Sequence, residues 1–330
     1  MHFKPPFTDI DINLSPKGFY KGYNIPIALI SKIGMTALVL WAAVWPDQAK
    51  QGLSALNGAM LNNFNAFYVI AVGFFALFAF IIAIIPSSGK RILGQPGEKP
   101  EFSNFSWFAM MFGAGLGVGL MVFATAEPLG LWGSNPDIVS GLVEKNSPEA
   151  VQSAYRYTFL HYGFHAWAIY VVTGLSMAYY AYRRNMPLTI RTALTPVLGK
   201  WANGPIGHAV DIMGVVATIL GISVTIGFGV SQLVDGVYSV SGMEWMMKTA
   251  EEGKAATPST LGLLSALGVI MVLSIISAVS GVGRGVKYLS NLNLVLSIIL
   301  IGAFIIHGSF GFAMKTYATA LWDYILHLPE

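Results

Sequence analysis

The chain has 330 residues, of which 55% are hydrophobic and 11% are charged, whereas soluble domains carry roughly 25% charged residues. Its mean hydropathy is +0.62 and its formal net charge is +3. This composition excludes an ordinary soluble domain, and the absence of cysteine from the sequence excludes disulfides and thiol chemistry. The basic residues form no continuous stripe, so nucleic acid is not an expected partner.

Seven apolar segments predict seven membrane-spanning helices. Each is long enough for the hydrocarbon core of a bilayer, which needs about 20 apolar residues. Two of them form a leading pair within residues 25–86, after a predicted cytoplasmic tail at 1–24 and before a cytoplasmic loop at 87–104. The other five form a repeat within residues 105–308. The spans are expected near residues 26–46, 64–86, 105–126, 157–181, 210–234, 261–280 and 289–308.

The segment after the last span, residues 309–330, has the pattern of an amphipathic helix. Its apolar residues recur at helical spacing, and Asp323 is predicted on the opposite face. The apolar residues are Tyr317, Leu321, Tyr324, Ile325 and Leu328. Such a helix is expected to lie on the outer surface of the membrane.

Basic residues are distributed unevenly between the segments that connect the spans. With the N-terminus in the cytoplasm, thirteen of the 19 Lys and Arg residues lie on the inner side. This distribution follows the positive-inside rule, and the opposite orientation would violate it. The sequence therefore predicts a multi-pass membrane protein with a cytoplasmic N-terminus.

The third span contains four glycines at alternating positions, Gly113, Gly115, Gly117 and Gly119. One interpretation is close helix packing, because Gly113 and Gly117, like Gly115 and Gly119, form GxxxG pairs. The other is a helix broken near the bilayer midplane, whose unwound backbone lines a binding site. The run has neither GxGxxG nor GK[ST] spacing, which excludes a dinucleotide site and a P-loop. The glycine pattern alone leaves packing and a broken helix open.

Five blocks of sequence together resemble the betaine/choline/carnitine transporter family, in order and in spacing. The resemblance covers almost the whole chain. The blocks are Ser106–Phe112 before the glycine run, Ala126–Leu129 after it, His161–Tyr170, Ala217–Gly221 and Ile276–Asn293.

The resemblance implies an all-α membrane protein of LeuT-type inverted-repeat architecture, with the substrate held between two five-helix repeats. This sequence matches the leading helix pair and the first repeat, and the second repeat has no counterpart in it. Two expectations follow: a fragment of a longer transporter, or a truncated membrane protein that does not transport alone. The resemblance also implies a homotrimer in a bacterial-type inner (plasma) membrane.

The resemblance implies an aromatic cage formed by Tyr162, Trp167 and Tyr170, beside Gly115, Gly117 and Gly119 of the broken span. A quaternary ammonium has no N–H group to donate, whereas aromatic faces attract it by about 2 kcal/mol or more per ring once water is excluded. The expected substrate is therefore an osmolyte of the glycine betaine, choline or carnitine class. The family commonly has tryptophan where this chain has Tyr162. Interfacial aromatics or ordinary packing are the alternative interpretation.

The resemblance also implies cation coupling, with no covalent cofactor. The backbone carbonyls of Gly113 and Leu116 match a sodium site, and hard cations prefer such oxygen ligands. Thr218 matches a threonine of a second sodium position, but Ile222 offers no oxygen four residues later. Sodium is the expected coupling ion, and proton-coupled, choline-type uptake is the alternative.

An enzyme is a further alternative, because His161 and His165 are spaced as an i,i+4 pair that can share a metal. The glutamate of an HExxH motif is missing between them. Glu127, at the outer end of the third span, is interpreted either as a gating group or as a carboxylate at the membrane interface. The sequence predicts a secondary transporter and not an enzyme.

Overall fold

The computed structural model describes residue 10 and residues 12–115, 118–249 and 256–328. Within these ranges the regular structure is helical, and strand pairing is limited to isolated bridges between Ser15 and Lys21 and between Met247 and Pro258. The predicted all-α class is confirmed for the described residues. The helices in chain order are α1 (Ile25–Val44), α2 (Pro46–Ile84), α3 (Pro86–Gly89), α4 (Asn104–Gly115), α5 (Val118–Gly133), α6 (Pro136–Val139), α7 (Pro148–Tyr162), α8 (Phe164–Ala178), α9 (Ile190–Leu198), α10 (Pro205–Ser241), α11 (Thr260–Ser280), α12 (Lys287–His307) and α13 (Phe310–Leu326).

The chain forms two compact units. The first unit takes residues up to 99 and residues 164–220, and the second takes residues 100–163 and those from 221 onward. Helices α1, α2, α8 and α9 therefore belong to the first unit, and α4, α5, α7, α11, α12 and α13 belong to the second. Helix α10 contributes its first part to one unit and its remainder to the other.

Five helical segments among the described residues are long and apolar enough to cross a membrane. They are α1, α2, α10, α11 and Val282–His307, with mean hydropathies from 2.0 to 2.8. Most of their apolar side chains are exposed to the surroundings of the chain, as expected for helices that face lipid. The prediction of a multi-pass membrane protein agrees with this result.

Helix α2 is longer than the sequence predicts. It begins at Pro46 and has 39 residues, so residues 47–63, predicted as a connection, are helical. Proline is favoured in the first helical turn, because a backbone N–H at that position would have no partner within the helix, so nothing is lost by its absence. The residues that follow include Ala, Leu, Gln and Met, which are strong helix formers, so the helix extends beyond its most apolar part.

The prediction of a single helix over 157–181 is wrong, because the helix is interrupted at Gly163. Helix α7 ends at Tyr162, and the Gly163 amide donates to the carbonyl oxygen of Phe159 at 2.7 Å. A Cβ at position 163 would overlap that oxygen and would lie 3.1 Å from the ring of Tyr324. The break therefore needs a residue without a side chain, and the helix resumes as α8 at Phe164.

In the first unit, a buried ion pair joins α9 to α10. The Arg191 side chain is fully buried, and its Nε donates to Oδ2 of Asp211 at 2.5 Å. The other oxygen of Asp211 accepts from the Arg191 backbone amide at 3.0 Å, and Arg191 Nη1 donates to the carbonyl oxygen of Ala202. Buried charges are tolerated when they are paired and hydrogen-bonded in this way.

In the second unit, α4 packs against α12 through small and polar side chains. Ser106 and Ala109 are buried on α4, and the Asn291 side-chain amide donates to Oγ of Ser106 at 3.2 Å. A Cβ added to Gly113 would lie 3.4 Å from Oγ of Ser290. Gly113 thus lies in a close helix contact, which agrees with the packing interpretation for this glycine.

The placement of Asp323 opposite the buried face of α13 is wrong. Asp323 and Tyr324 are both buried, and Tyr324 lies 6.1 Å from the ring of Phe159 on α7. The Asp323 carboxylate accepts from Nε of Arg156 at 2.5 Å. The apolar pattern alone misplaces this residue, because the partner that allows it to be buried lies on another helix.

Candidate functional site

Tyr162 is the last residue of α7, in the second unit. Its ring centroid lies 4.4 Å from that of His161, and its hydroxyl lies close to the Glu127 carboxylate. His161 Nδ1 lies 2.6 Å from Oε1 of Glu127. The Glu127 side chain is 17% exposed and that of His161 is 64% exposed. The structure thus brings a carboxylate on α5 to an imidazole and a phenol at the end of α7.

Trp167 and Tyr170 lie on α8, in the first unit. Their exposed fractions are 43% and 62%. Ala168 on the same helix is buried at 3%, and Phe164 meets Phe80 of α2 edge to face at 5.2 Å between ring centroids. The two rings lie three residues apart on one helix, so they share a face as predicted. Their grouping with Tyr162 stays a prediction.

Exposed aromatic faces on a helix can attract a cation through the ring quadrupole. They can equally contact lipid or another protein segment, because tryptophan and tyrosine combine an apolar body with a polar end. The chemistry available at Trp167 and Tyr170 is therefore compatible with a quaternary ammonium.

The glycine run is described only in part. Gly115 is the last residue of α4, and Gly119 lies in the first turn of α5. Leu116 and Gly117 lie outside the described residues. The predicted helix break and the predicted sodium ligands Gly113 and Leu116 therefore stay predictions.

Thr218 lies in α10, where its hydroxyl donates to the carbonyl oxygen of Gly214 at 2.8 Å. This hydrogen bond uses the proton of the hydroxyl and leaves its oxygen as an acceptor. Ile222, one turn later, is 52% exposed and offers no oxygen. The role of Thr218 in cation binding is not tested by this geometry.

The structure bears on the alternative interpretation of His161 and His165 as a metal-binding i,i+4 pair. His161 ends α7 next to Tyr162, and His165 lies in α8 after the break at Gly163, so the two are not on one continuous helical face. Across the part of the chain that the structure describes, there is no group of three or more His, Cys, Asp or Glu residues that could hold a metal ion.

The structure reveals a second polar cluster that the sequence reasoning did not find. Arg156 on α7 contacts Asp323 on α13 at 2.5 Å and Asp137 on α6 at 3.2 Å, and the Tyr157 hydroxyl donates to Asp137 at 2.7 Å. Burial by itself lowers the pKa of Arg156, but the hydrogen bond to Asp323 and the charges of both carboxylates outweigh it and raise the pKa above its usual value. Arg156 is therefore a permanent cation that holds three segments together.

Comparison with known proteins assigns the chain to a family. Residues 26–330 match the family model described as "BCCT, betaine/carnitine/choline family transporter". The chain belongs to this family. Family members are transporters, which does not favour the metalloenzyme interpretation of His161 and His165.

Three relatives in the betaine/carnitine/choline transporter family show the extent of the similarity. The chain is 36% identical over 294 residues to the "Glycine betaine transporter OpuD" of Bacillus subtilis, covering 89% of this chain and 54% of that protein. It is 34% identical to the "Probable glycine betaine transporter" of Desulfitobacterium hafniense, covering 93% and 58%. It is 36% identical to the "Glycine betaine transporter" of Acinetobacter baylyi, covering 92% and 44%. The chain thus spans about half the length of these relatives.

Proposed function

We propose that this chain is part of a secondary active transporter that imports a quaternary-ammonium or related zwitterionic osmolyte. The observation that supports this most directly is the family match over residues 26–330, together with relatives named as glycine betaine transporters. The complete protein would have the LeuT-type inverted-repeat architecture. In that architecture the substrate is held near the bilayer midplane, and this chain would supply one side of the site.

The substrate would be held by an aromatic cage that includes Tyr162, Trp167 and Tyr170. The exposed rings of Trp167 and Tyr170 support this part of the proposal, because both faces are accessible on α8. The glycine run, through Gly115, Gly117 and Gly119, would bring backbone close to the bound substrate, since glycine has no side chain to prevent the approach.

Transport would be coupled to sodium. The carbonyl oxygens of Gly113 and Leu116 would bind one ion, and the hydroxyl oxygen of Thr218 would contribute to a second position. The protein would lie in a bacterial-type inner membrane with its N-terminus in the cytoplasm, and it would assemble as a homotrimer.

Uptake of radiolabelled glycine betaine by cells that express the complete protein tests the proposal. In sodium buffer we expect saturable uptake that falls to background when sodium is replaced by potassium at fixed pH. Uptake that continues without sodium would contradict the coupling, and uptake that never exceeds that of cells without the gene would contradict the transport function.

The cage is tested by Trp167→Ala and Tyr170→Ala in the same protein. Each substitution should raise the half-saturation concentration at least about tenfold, because one ring contributes roughly 1.4 kcal/mol or more of cation–π attraction. Tyr182→Ala is the matched control, since Tyr182 is also an exposed tyrosine, at 56%, in the turn after α8. Unchanged half-saturation in both test variants would place the substrate elsewhere.

A further inference from the structure

The Glu127 carboxylate on α5 is placed differently from the other carboxylates that take part in ion pairs in the described residues. Its Oε1 lies 2.6 Å from Nδ1 of His161, with Tyr162 close by. An ionised carboxylate can only accept a hydrogen bond, so Nδ1 of His161 is the donor. An imidazole can donate in this way either as a neutral ring or as a cation. The net charge of the pair is therefore −1 or zero, depending on one proton.

Among the described residues, each of the other carboxylates in ion pairs contacts an arginine, which stays charged at all ordinary pH values, although Asp323 also has His327 at 3.4 Å. Asp211 is paired with Arg191, and Asp137 and Asp323 share Arg156. By contrast His161 is 64% exposed, so it can exchange its proton with water. The charge next to Tyr162 can therefore change with one proton on His161, whereas the buried pair of Arg191 and Asp211 has no such group in its ion pair.

The helices packed against α7 bring few further titratable groups to this position. Helix α5 presents Glu127, and α13 presents Tyr324 close to Gly163 and Tyr317 at 6.4 Å from Phe159. Asp323 of α13 is held by Arg156, with His327 next to it at 3.4 Å. Among these groups, His161 is the one whose imidazole contacts the Glu127 carboxylate, at 2.6 Å.

We infer that Glu127 and His161 act together as a charge selector at the Tyr162 end of the substrate site. When His161 is neutral, the carboxylate gives this end a charge of −1, which favours a quaternary-ammonium cation over a zwitterion with the same headgroup. When His161 is protonated, the pair is neutral and this preference disappears. The inference rests on the proposed transport function and on the placement of Tyr162 at the substrate. It extends that function by assigning Glu127 and His161 to substrate selection.

The expected size of the effect follows from Coulomb's law. The additional carboxylate of a zwitterion is repelled by Glu127 across several ångströms of partly solvated protein. At that distance and at an intermediate effective dielectric constant, the repulsion changes the ratio of the two affinities by about tenfold. The magnitude should decrease at high ionic strength to the extent that solvent reaches the site.

The test compares choline, a cation, with glycine betaine, a zwitterion, in the complete protein. The ratio of their half-saturation concentrations is measured at about pH 5.5 and about pH 8, on either side of the range in which imidazoles ordinarily titrate. Using a ratio removes differences in expression. The unmodified protein should favour choline about tenfold more strongly at the higher pH than at the lower.

Three variants separate the charge selector from a structural role. Glu127→Gln should lose the extra preference for choline at the higher pH and give the same ratio at both pH values. His161→Gln should keep the high-pH ratio at both values, because its amide can still donate to Glu127 but cannot become charged. His327→Gln is the matched control, since it removes an imidazole beside a carboxylate outside the proposed site, and it should behave like the unmodified protein.

If Glu127→Gln showed the same change of ratio with pH as the unmodified protein, the inference would be overturned. A ratio in the unmodified protein that does not change with pH would also overturn it. In both cases the proposed transport function would still stand, because both compounds would be carried. If the unmodified protein carried neither compound, the proposed function would fail and the inference would fail with it.

Discussion

The buried pair between Arg191 and Asp211 allows a quantitative prediction of stability. Asp211→Asn keeps the shape of the side chain and one acceptor for the Arg191 backbone amide, but it removes the negative charge. The guanidinium, which is fully buried and contacts Asp211 at 2.5 Å, would then be an uncompensated charge. Breaking a buried pair by removing one partner costs about 3–5 kcal/mol.

The assay is thermal unfolding of the complete protein in detergent, followed by intrinsic fluorescence. For a protein of at least this size, a loss of about 3 kcal/mol or more should lower the midpoint by roughly 3 °C or more. Asp235→Asn is the matched control on the same helix, because Asp235 is exposed, and it should change stability by no more than about 0.5 kcal/mol. Replacing both partners, as Arg191→Met with Asp211→Leu, should restore much of the loss, since no buried charge remains.

If Asp211→Asn unfolds at the same temperature as Asp235→Asn, the pair is accessible to water and the reasoning from burial is refuted. If the double variant is less stable than Asp211→Asn alone, the hydrogen bond from Arg191 to the Ala202 carbonyl contributes more than the charge pair does. Both results can be read from the same set of melting curves.

Three further predictions concern two glycines and a buried carboxylate. Gly163→Ala should destabilise the protein by about 1–3 kcal/mol in the same thermal assay, because the added Cβ would overlap the Phe159 carbonyl oxygen. The control Gly174→Ala, at a position with open space around it, should leave the stability unchanged. Asp323→Asn should increase backbone deuterium exchange in α13, because it removes the charge that pairs with Arg156. The control Thr319→Ala on the same helix should leave the exchange unchanged. Equal exchange in the two variants would show that the ion pair does not stabilise α13. Gly117→Val in the complete protein should abolish uptake with little change in membrane insertion, and full uptake would leave the glycine run with a packing role alone.

Most helices could be predicted from the sequence, because a long apolar run has few alternatives in a membrane. The break at Gly163 could not. Glycine is common in membrane helices, and the residues on both sides, Tyr162 and Phe164, continue the apolar pattern. What distinguishes this glycine is the close approach of Tyr324 and of the Phe159 carbonyl, and these contacts depend on tertiary structure.

The candidate site shows the same division. The resemblance in the block from His161 to Tyr170 indicates which aromatic residues are candidates for the cage. The spacing of Trp167 and Tyr170 places both on one helical face, and both lie on α8. The contact between Glu127 and His161 could not be predicted from spacing, because 33 residues separate them in the sequence. It depends on how α5 and α7 pack.

The alternation of the chain between its two units has a consequence for biosynthesis. Helices α1 and α2 are made first, but α8, which packs against α2, is made only after roughly 80 further residues. At about 5–20 residues per second, this takes roughly 4–16 s. During that time α4, α5 and α7 are synthesised. Helices α1 and α2 must therefore remain stably inserted in the bilayer before α8 is available to pack against α2. The high mean hydropathy of α2, 2.8, suits a helix that inserts early and waits in the bilayer for a late partner.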